Sequence, residues 1–552
     1  MTILFHPSYL ITSSSSSSPP LSPLSCFPFK HKHKHHHQHL HYCVHVVASC
    51  LPPEQQLSSS SSSSSGWRRS SARPWAIACS GKACEGLPLE RFFATCAPGL
   101  EEVVAAELRS AMIGAVGVEI GSAGVSFQGT CSTGFKANLW LRSAVRVLQE
   151  LSAGSLSRGT SHRDPVYEFV RDAADWPNLL IAGRDHFDGV PENNDLAFLP
   201  MHPESTEEHR SRVEMGRIVE NQFTFRTFDV QTRVWDCGRV SNASSASTRS
   251  KDAICDAIRD ACHGRKPKSP KETGKVADLP LFLSLYRNRA ILYRDMSGAS
   301  LHKRGYRDVM HKAGLNEGIA AAILTMAGWS RWIPGFGVYN KNALWEGDDG
   351  CNGPVLVDPM CGSGTILIEA ALMAANIAPG LMRASWPFMT WHDFNLQNWR
   401  DCQSQAFDAR MKTPPGLRIL GNDNHEGALS LCVRNAKTAG ICHLLELSCQ
   451  DCSLYIPPIA PSLVVVNPPW GSRLGDDSAH DSEWIACTWT ALGKFLKRSC
   501  TRADVYVLSG NANATQDLQL KSDKKWHLTV GGVDCKLLHY YVLPPKQKEA
   551  DI

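Results

Sequence analysis

The sequence lacks any apolar run long enough to cross a membrane, which needs about 20 consecutive residues. It contains 20 cysteines among 552 residues, but they are scattered through apolar segments, which is typical of reduced, buried thiols rather than disulfides. One Cys-x-x-Cys pair occurs, at Cys449 and Cys452, without the second pair that a zinc site needs. We therefore expect neither a membrane span nor a bound metal.

Acidic residues are nearly absent from the first 84 residues, which contain seven Lys or Arg and a single acid, Glu54. Serine runs at 13–18 and 58–65 and a histidine–lysine tract at 31–41 fill much of this segment. Such a composition buries too little apolar surface to offset chain entropy, so we expect residues 1–85 to be disordered. A Ser-rich, basic and acid-poor start is typical of an organellar transit peptide, and its Ser and Pro content favours the chloroplast over the mitochondrion.

The N-terminal segment carries all of the net positive charge of the chain. Its charge is +6 and that of the whole chain is +4, so residues 85–552 carry −2. A body with this charge would have to bind nucleic acid through local basic patches. One such patch is the run at 265–271, which we interpret as a solvated loop. The other combines cations with an aromatic ring, and solvation and RNA contact are equally compatible with it; its candidate RNA-binding residues are His302, Lys303, Arg304, Tyr306 and Arg307.

Residues 90–295 show a pattern of small α+β units without a nucleophile–base pair or a metal cage. The interval 182–221 is rich in acidic and histidine residues and is interpreted as a surface insertion. Alternating apolar residues predict strands and helical spacing predicts helices. The predicted strands are 92–95, 124–127, 228–234 and 282–293, and the predicted helices are 100–108, 136–151 and 252–262.

A glycine turn between a buried strand and a helix predicts a cofactor site. The apolar run 354–357 leads into Asp358-Pro359-Met360-Cys361-Gly362-Ser363-Gly364-Thr365, and a helix is predicted over 366–376. This order is typical of the first unit of a doubly wound parallel sheet, where ligands bind at the carboxyl ends of strands. The free N–H groups of the helix suit a carboxylate, and Asp358 suits an ammonium group rather than a phosphate. We predict S-adenosylmethionine (SAM) as the ligand, bound by Asp358, Pro359, Cys361, Gly362, Ser363, Gly364 and Thr365.

Two further acidic positions follow the next two predicted strands. Strand 417–421 ends at Asn422-Asp423-Asn424, and strand 444–447 precedes Asp451. A carboxylate at Asp423, beside Asn424, could accept the ribose hydroxyls of the cofactor, and Asp451 could accept its adenine amino group. Helix capping is the alternative role of each acid.

The fourth predicted strand, 463–466, ends in Asn467-Pro468-Pro469-Trp470. Asn-Pro-Pro-aromatic at this place is the signature of enzymes that methylate exocyclic amines. The Asn467 side-chain oxygen and the Pro468 carbonyl could each accept one amine N–H, which favours a pyramidal nitrogen aimed at the methyl group. The prolines, Pro468 and Pro469, restrict φ and hold these acceptors in place, and Trp470 offers a face for the extruded base. Pro-Pro ending a strand beside a core Trp470 is the alternative interpretation.

Several of these motifs together resemble one family, the THUMP-containing enzymes of the bacterial large-subunit rRNA guanine-N2 methyltransferase type. The resemblance covers about residues 90–545. It implies a ferredoxin-like and THUMP RNA-binding region over 90–295, a basic connector at 296–312, and a class I methyltransferase domain with a seven-stranded Rossmann-like sheet over 313–545. The supporting segments are 93–102, 137–142 and 297–307, together with the glycine turn and the Asn467 tetrapeptide.

The resemblance implies guanine-N2 methylation of large-subunit rRNA in an organelle, with RNA as the partner. A tRNA guanine, an adenine N6 amine, and an RNA-binding assembly factor without catalysis are the alternatives. The family usually has tyrosine where this chain has Trp470, so the stacking surface is kept and the hydroxyl is lost. Some bacterial members continue into a second methyltransferase domain, and we expect none here because the sequence stops at Ile552.

Overall fold

The structure, a computed structural model, describes residues 89–122, 124–156, 164–182, 224–261, 277–307, 314–332, 353–471 and 479–544. The predicted transit segment, the basic run at 265–271 and nearly all of the predicted insertion lie outside these residues. Within the described ranges, no helix combines the length and apolarity needed to cross a bilayer.

The N-terminal half is built on one mixed seven-stranded sheet with the strand order β2-β3-β1-β4-β9-β8-β7. All neighbours in it are antiparallel except β7 and β8. A short separate ladder joins two strands of two residues each, β5 and β6. The strands are β1 Glu90–Cys96, β2 Val116–Gly121, β3 Gly124–Gly129, β4 Ala144–Ser155, β5 Ile181–Ala182, β6 Thr224–Phe225, β7 Phe228–Trp235, β8 Leu279–Tyr286 and β9 Arg289–Asp295. The helices are α1 Glu101–Arg109, α2 Cys131–Trp140, α3 Pro165–Asp172, α4 Trp176–Leu180 and α5 Ala243–Ala261.

The predicted helix over 136–151 is wrong from residue 141 onward, because α2 ends at Trp140 and the chain continues as β4. The buried carboxylate of Glu107 accepts hydrogen bonds from the backbone N–H groups of Arg142 and Ser143, at 2.9 and 3.2 Å. These contacts hold the chain in a turn after the helix. Strand β4 then lies inside the sheet between β1 and β9, where long-range pairing outweighs the local helical spacing.

The predicted strand over 282–293 is instead a hairpin of β8 and β9. The two turn residues, Arg287 and Asn288, have φ values of 45° and 61°. Two successive residues with positive φ are typical of the turn that matches the twist of a two-residue hairpin. Asn tolerates this conformation better than most residues, but no glycine marks the turn in the sequence.

The C-terminal half forms a second seven-stranded sheet with the order β12-β11-β10-β13-β14-β16-β15. Its strands are parallel except β16, which runs antiparallel to β14 and β15. This order is that of the class I methyltransferase sheet, so the predicted fold is confirmed. The strands are β10 Val355–Asp358, β11 Arg418–Asp423, β12 Leu445–Cys449, β13 Leu463–Val466, β14 Asp504–Ser509, β15 Lys524–Val530 and β16 Val533–Tyr541, and the helices are α6 Glu317–Met326, α7 Thr365–Ala374, α8 Leu396–Asp408, α9 Glu426–Thr438 and α10 Ala479–Ser499.

Two candidate RNA-binding residues of the connector between the two sheets are buried, whereas both RNA contact and solvation need exposed side chains. Arg304 and Tyr306 are each 1% exposed. The Arg304 guanidinium lies 3.4 Å from the carboxylate of Glu369 on α7 and donates to the Leu301 carbonyl at 2.8 Å. The Tyr306 hydroxyl donates to the same carboxylate at 3.2 Å. Burial raises the pKa of Tyr306 well above its usual value and keeps this hydroxyl protonated.

Arg307 continues this buried network into the glycine turn. Its guanidinium lies 3.3 Å from the Glu317 carboxylate on α6 and donates to the Thr365 hydroxyl at the start of α7. The RNA-contact prediction is therefore wrong for Arg304, Tyr306 and Arg307, whose charges and hydroxyl are used inside the protein. A motif of cations and an aromatic ring looks the same in the sequence whether it faces RNA or a buried acid.

The other two residues of the motif are less buried, and their RNA contacts stay a prediction. Lys303 is exposed, and His302 is half-buried with its Nδ1 2.6 Å from the Ser300 hydroxyl. Burial, followed by repulsion from nearby cations, lowers the pKa of His302 to about 4. His302 is thus neutral at physiological pH and offers no charge to a phosphate.

Removing the charge of Glu369 should destabilise the protein, because Arg304 would then keep a buried charge without its partner. We expect Glu369→Gln to lower the free energy of unfolding by about 3–5 kcal/mol. The control is Glu446→Gln, which removes a half-exposed carboxylate paired with Arg418 and should cost no more than about 1 kcal/mol. Urea unfolding of the three proteins checks this, and equal midpoints would show that the buried pair does not stabilise the fold.

Candidate functional site

A cavity of about 350 Å³ lies at the carboxyl ends of the central parallel strands of the second sheet. This is the edge at which doubly wound sheets bind ligands, and the volume lies within the range of small-molecule sites, roughly 300–1,000 Å³. Its wall combines the glycine turn, the ends of β11 and β12, the tetrapeptide after β13, and one face of α10. The lining residues are Pro359, Met360, Gly362, Asp423, Asn424, Asp451, Cys452, Asn467, Pro468, Pro469, Trp470, Gly471, Trp484, Thr488 and Ala491.

The two glycines of the turn serve different purposes. Gly362 has φ +54°, and a Cβ added there would meet nothing within 4 Å, so its backbone faces open space. Gly364 has φ +78°, and a Cβ there would lie 2.1 Å from the Sγ of Cys432 on α9. Gly362 therefore leaves room for a ligand, whereas Gly364 is required for close packing of α7 on α9.

Side chains at the end of β11 tie the neighbouring loops together. The Asp423 carboxylate accepts hydrogen bonds from the backbone N–H groups of Gly362 and His425, at 2.8 and 2.9 Å. The buried Asn422 amide donates to the carbonyls of Pro359 and Gln450, at 3.1 and 3.0 Å. These contacts fix the glycine turn and the loop after β12 relative to each other before any ligand binds.

Only part of the predicted cofactor set lines the cavity. Pro359, Gly362, Asp423, Asn424 and Asp451 do, together with Met360 and Cys452, which the sequence argument did not single out. The remaining predicted cofactor residues do not belong to the wall: Asp358, Cys361, Ser363, Gly364 and Thr365.

Asp358 lies beneath the turn and is 2% exposed. Its carboxylate accepts the Met360 N–H at 3.1 Å, which shapes the turn. Burial, and then repulsion from Asp423, raises the pKa of Asp358 to about 8. A nearby cation would offset both effects, so the position suits the ammonium group that the sequence analysis assigned to it.

Asp451 caps the turn that follows β12. Its side chain is exposed, and one carboxylate oxygen accepts the Ser453 N–H at 2.8 Å. The alternative role predicted for Asp451 was helix capping, but the described residues form a turn here and not a helix. Its contact with a cofactor adenine stays a prediction, because the residue also lines the cavity.

Asn467 lines the cavity and carries an unused acceptor. Its Oδ1 is buried and has no hydrogen-bond partner among the described residues. The loop around it is held by two bonds from neighbouring elements: the Trp489 indole donates to the Pro469 carbonyl at 2.9 Å, and the Asn511 amide donates to the Trp470 carbonyl at 3.2 Å. A buried acceptor without a partner costs about 1–3 kcal/mol, and an N–H donor on a ligand in the cavity would offset this cost.

Trp470 is a correction to the sequence interpretation, because its side chain is only 7% exposed. Its six-membered ring packs on Gly510, where an added Cβ would lie 2.4 Å from the ring. Most of the indole therefore belongs to the core, and a small part reaches the cavity. The large exposed aromatic side chain of the wall is Trp484 on α10, which is 49% exposed. No motif marks Trp484 in the sequence.

Comparison with known proteins agrees with this geometry. The sequence-family model of the RMKL-like methyltransferase domain matches residues 347–539. The sequence-family model of the RlmL ferredoxin-like domain matches residues 91–148. Over residues 347–539 the chain is therefore similar to the RMKL-like methyltransferase domain. The match spans the glycine turn and the Asn467 tetrapeptide, and the resemblance stated from the sequence is confirmed.

One relative is the ribosomal RNA large subunit methyltransferase K/L of Syntrophotalea carbinolica, which is 31% identical over 469 residues. The alignment covers 84% of this chain but 55% of the relative, so the chain spans about half the length of that protein.

Two solved structures share the fold. The protein SMU.472, solved as a complex with S-adenosylhomocysteine (SAH), has a TM-score of 0.60 at 24% identity, covering 83% of this chain and 100% of that one. A Listeria monocytogenes protein described as an N6-adenine-specific DNA methylase has a TM-score of 0.61 at 26% identity, covering 83% and 97%.

The raised pKa of Asp358 predicts a pH-dependent stability of the ligand-free protein. A carboxyl group whose folded pKa is above its unfolded value of 3.8 stabilises the fold in its neutral form, and this contribution is lost as the pH rises towards about 8. We expect Asp358→Asn, which is neutral throughout, to gain stability relative to wild type between about pH 5 and about pH 8. Thermal unfolding at several pH values measures the difference. The exposed Asp534→Asn controls for loss of a carboxylate, and a pH-independent difference for Asp358→Asn would contradict the assignment.

Proposed function

We propose that this protein is a SAM-dependent RNA methyltransferase that transfers a methyl group to N2 of a guanine in large-subunit rRNA. The observation that carries the proposal is the buried, unpartnered Oδ1 of Asn467 in the wall of the same cavity as Gly362 and Asp423. The K/L rRNA methyltransferase relative supports the substrate class. The SAH complex of SMU.472 supports SAM as the donor.

Different residues of the cavity suit the methionyl end, the ribose and the adenine of the cofactor. The open backbone at Gly362 leaves room for the methionyl end, and α7, whose positive N-terminal end favours a carboxylate, begins three residues later. The buried Asp358 carboxyl lies below the turn, where an ammonium group would stabilise its ionised form. Asp423 and Asp451 line the cavity at successive strand ends, in the places where ribose and adenine are expected.

When bound, SAM supplies an electrophilic methyl group on a sulfonium centre. Asn467 accepts one N–H of the base amine through Oδ1, and the Pro468 carbonyl accepts the other. These bonds direct the amine lone pair out of ring conjugation and towards the methyl carbon. SAM held beside Gly362, Asp423 and Asp451 would supply its methyl group to this lone pair and leave as SAH, and the amine would lose its surplus proton to solvent. Asn467 and Pro468 therefore position the amine and need no tuned pKa.

Asn467→Ala should abolish transfer while leaving cofactor affinity unchanged. We expect methyl transfer to fall by at least roughly a hundredfold, because one of the two acceptors that orient the amine is lost. The assay combines labelled SAM, deproteinised large-subunit rRNA from cells that lack the protein, and mass analysis of the released nucleosides. Calorimetry with SAH measures cofactor binding separately.

The exposed Asn513→Ala is the matched control and should transfer methyl groups like wild type. Undiminished transfer by Asn467→Ala would refute the mechanism. Methylated adenine in place of N2-methylguanine would instead favour the adenine specificity named for the Listeria protein, and methylation of tRNA alone would change the substrate class.

We also propose that the protein acts in the chloroplast, on the basis of its Ser-rich, acid-poor first 85 residues. A fluorescent protein fused behind residues 1–85 should enter chloroplasts of a plant cell, and the same fluorescent protein behind residues 86–552 should not. Mitochondrial import would replace the chloroplast with the alternative organelle, and import of neither fusion would refute the assignment.

A further inference from the structure

The aromatic side chain best placed to receive an extruded base is Trp484, not the tryptophan of the tetrapeptide. Trp484 is 49% exposed, whereas Trp470, which also lines the cavity, is 7% exposed and packs against Gly510. Single exposed apolar side chains are common on protein surfaces. Trp484 differs because it shares a cavity wall with an unpartnered hydrogen-bond acceptor, the Oδ1 of Asn467.

The orientation of α10 fixes Trp484 relative to the tetrapeptide. The next residue, Ile485, packs on Gly471, where an added Cβ would lie 2.6 Å from the Ile485 Cδ1. One turn further along, the Trp489 indole bonds to the Pro469 carbonyl at 2.9 Å. Both contacts press the helix against the loop that carries Asn467. Trp484 therefore lies on a helix that is packed against the protein and not on a loop.

The wall that Trp484 shares with its helix neighbours is mostly apolar. Trp484, Thr488 and Ala491 follow the spacing of one helix face and all line the cavity. The Thr488 hydroxyl donates to the Trp484 carbonyl at 2.8 Å, so it is already used within the helix. This side of the cavity therefore offers a flat aromatic surface, while Asn467 offers an acceptor to an N–H at the ligand edge.

We propose that Trp484 stacks on the target base while Asn467 holds the amine of that base. A planar ring would stack on Trp484, and an N–H group on the edge of that ring would donate to Asn467. A nucleobase has both features. The proposal rests on the proposed function and adds the residue that selects a planar base. It also assigns the stacking role, expected of Trp470, to a residue outside the tetrapeptide.

The test uses the full chain saturated with SAH and a fluorescein-labelled, unstructured ten-nucleotide RNA of uridines with one central guanosine. Loss of one base-stacking contact is worth a factor of roughly ten to a hundred in affinity. We expect Trp484→Ala to weaken binding by that factor and Trp484→Phe to retain most of it. Phe407→Ala removes a comparably exposed aromatic ring on α8, outside the cavity, and should bind like wild type.

A second RNA, with an abasic ribose at the guanosine position, completes a cycle of two proteins and two RNAs that isolates the contact between Trp484 and the base. Wild type and Trp484→Ala should bind this RNA equally, because the stacked partner is missing from both complexes. If Trp484→Ala still weakens binding to the abasic RNA, Trp484 stacks on a flanking base and the proposal is wrong. Wild-type affinity of Trp484→Ala for the guanosine RNA also overturns it. So does an equal loss of affinity for SAH, which would place the indole on the cofactor.

These outcomes are separate from a failure of the proposed function. Suppose that the protein binds SAH and RNA and that RNA binding depends on Trp484, but that no rRNA is methylated. The stacking proposal then stands, and the proposed rRNA activity is wrong. If Trp484→Ala methylates guanine as efficiently as wild type, the proposed activity stands and the stacking proposal is wrong.

Discussion

The candidate site depends on the parallel pairing of β10 with β13. Leu356 pairs with Leu463 and Val357 with Val464, so the two strands end at the same edge of the sheet. Because both strands run in the same direction, the chain leaves each of them on the same side. The glycine turn after Asp358 and the tetrapeptide that begins at Asn467 are therefore neighbours, although about a hundred residues separate them in the sequence. An antiparallel pairing would have placed them at opposite edges.

Two polar groups at this edge of the sheet are buried at a cost in folding free energy. Asp358 is buried with a raised pKa, and the Oδ1 of Asn467 is buried without a partner. Around them, Asn422, Asp423, Trp489 and Asn511 use their hydrogen bonds to hold the loops in place. A bound cation would stabilise the ionised form of Asp358, and a bound N–H donor would satisfy the Oδ1 of Asn467. This arrangement favours a ligand that carries both a cation and a hydrogen-bond donor.

The connector joins this site to the N-terminal sheet through buried charge. Arg304 and Tyr306 meet Glu369 on α7, and Arg307 contacts Glu317 and the Thr365 hydroxyl at the first residue of the same helix. Helix α7 begins directly after the glycine turn. The cations that looked like an RNA surface therefore fix the helix that follows the glycine turn. Through them, the position of the N-terminal sheet is coupled to the geometry of the turn.

The sequence by itself determined the succession of strands along the methyltransferase domain and the place of the cavity at their ends. Apolar runs such as 463–466 are local signals, and the turns that follow them carry residues whose chemistry is specific. The sequence could not determine which face of a residue is covered, because burial depends on contacts between distant segments. Tertiary structure alone decided that β4 is a strand, that Trp470 packs on Gly510 and that Arg304 faces Glu369. It also decided that Trp484 stands exposed in the cavity, because the packing of Ile485 and Trp489 sets the rotation of its helix.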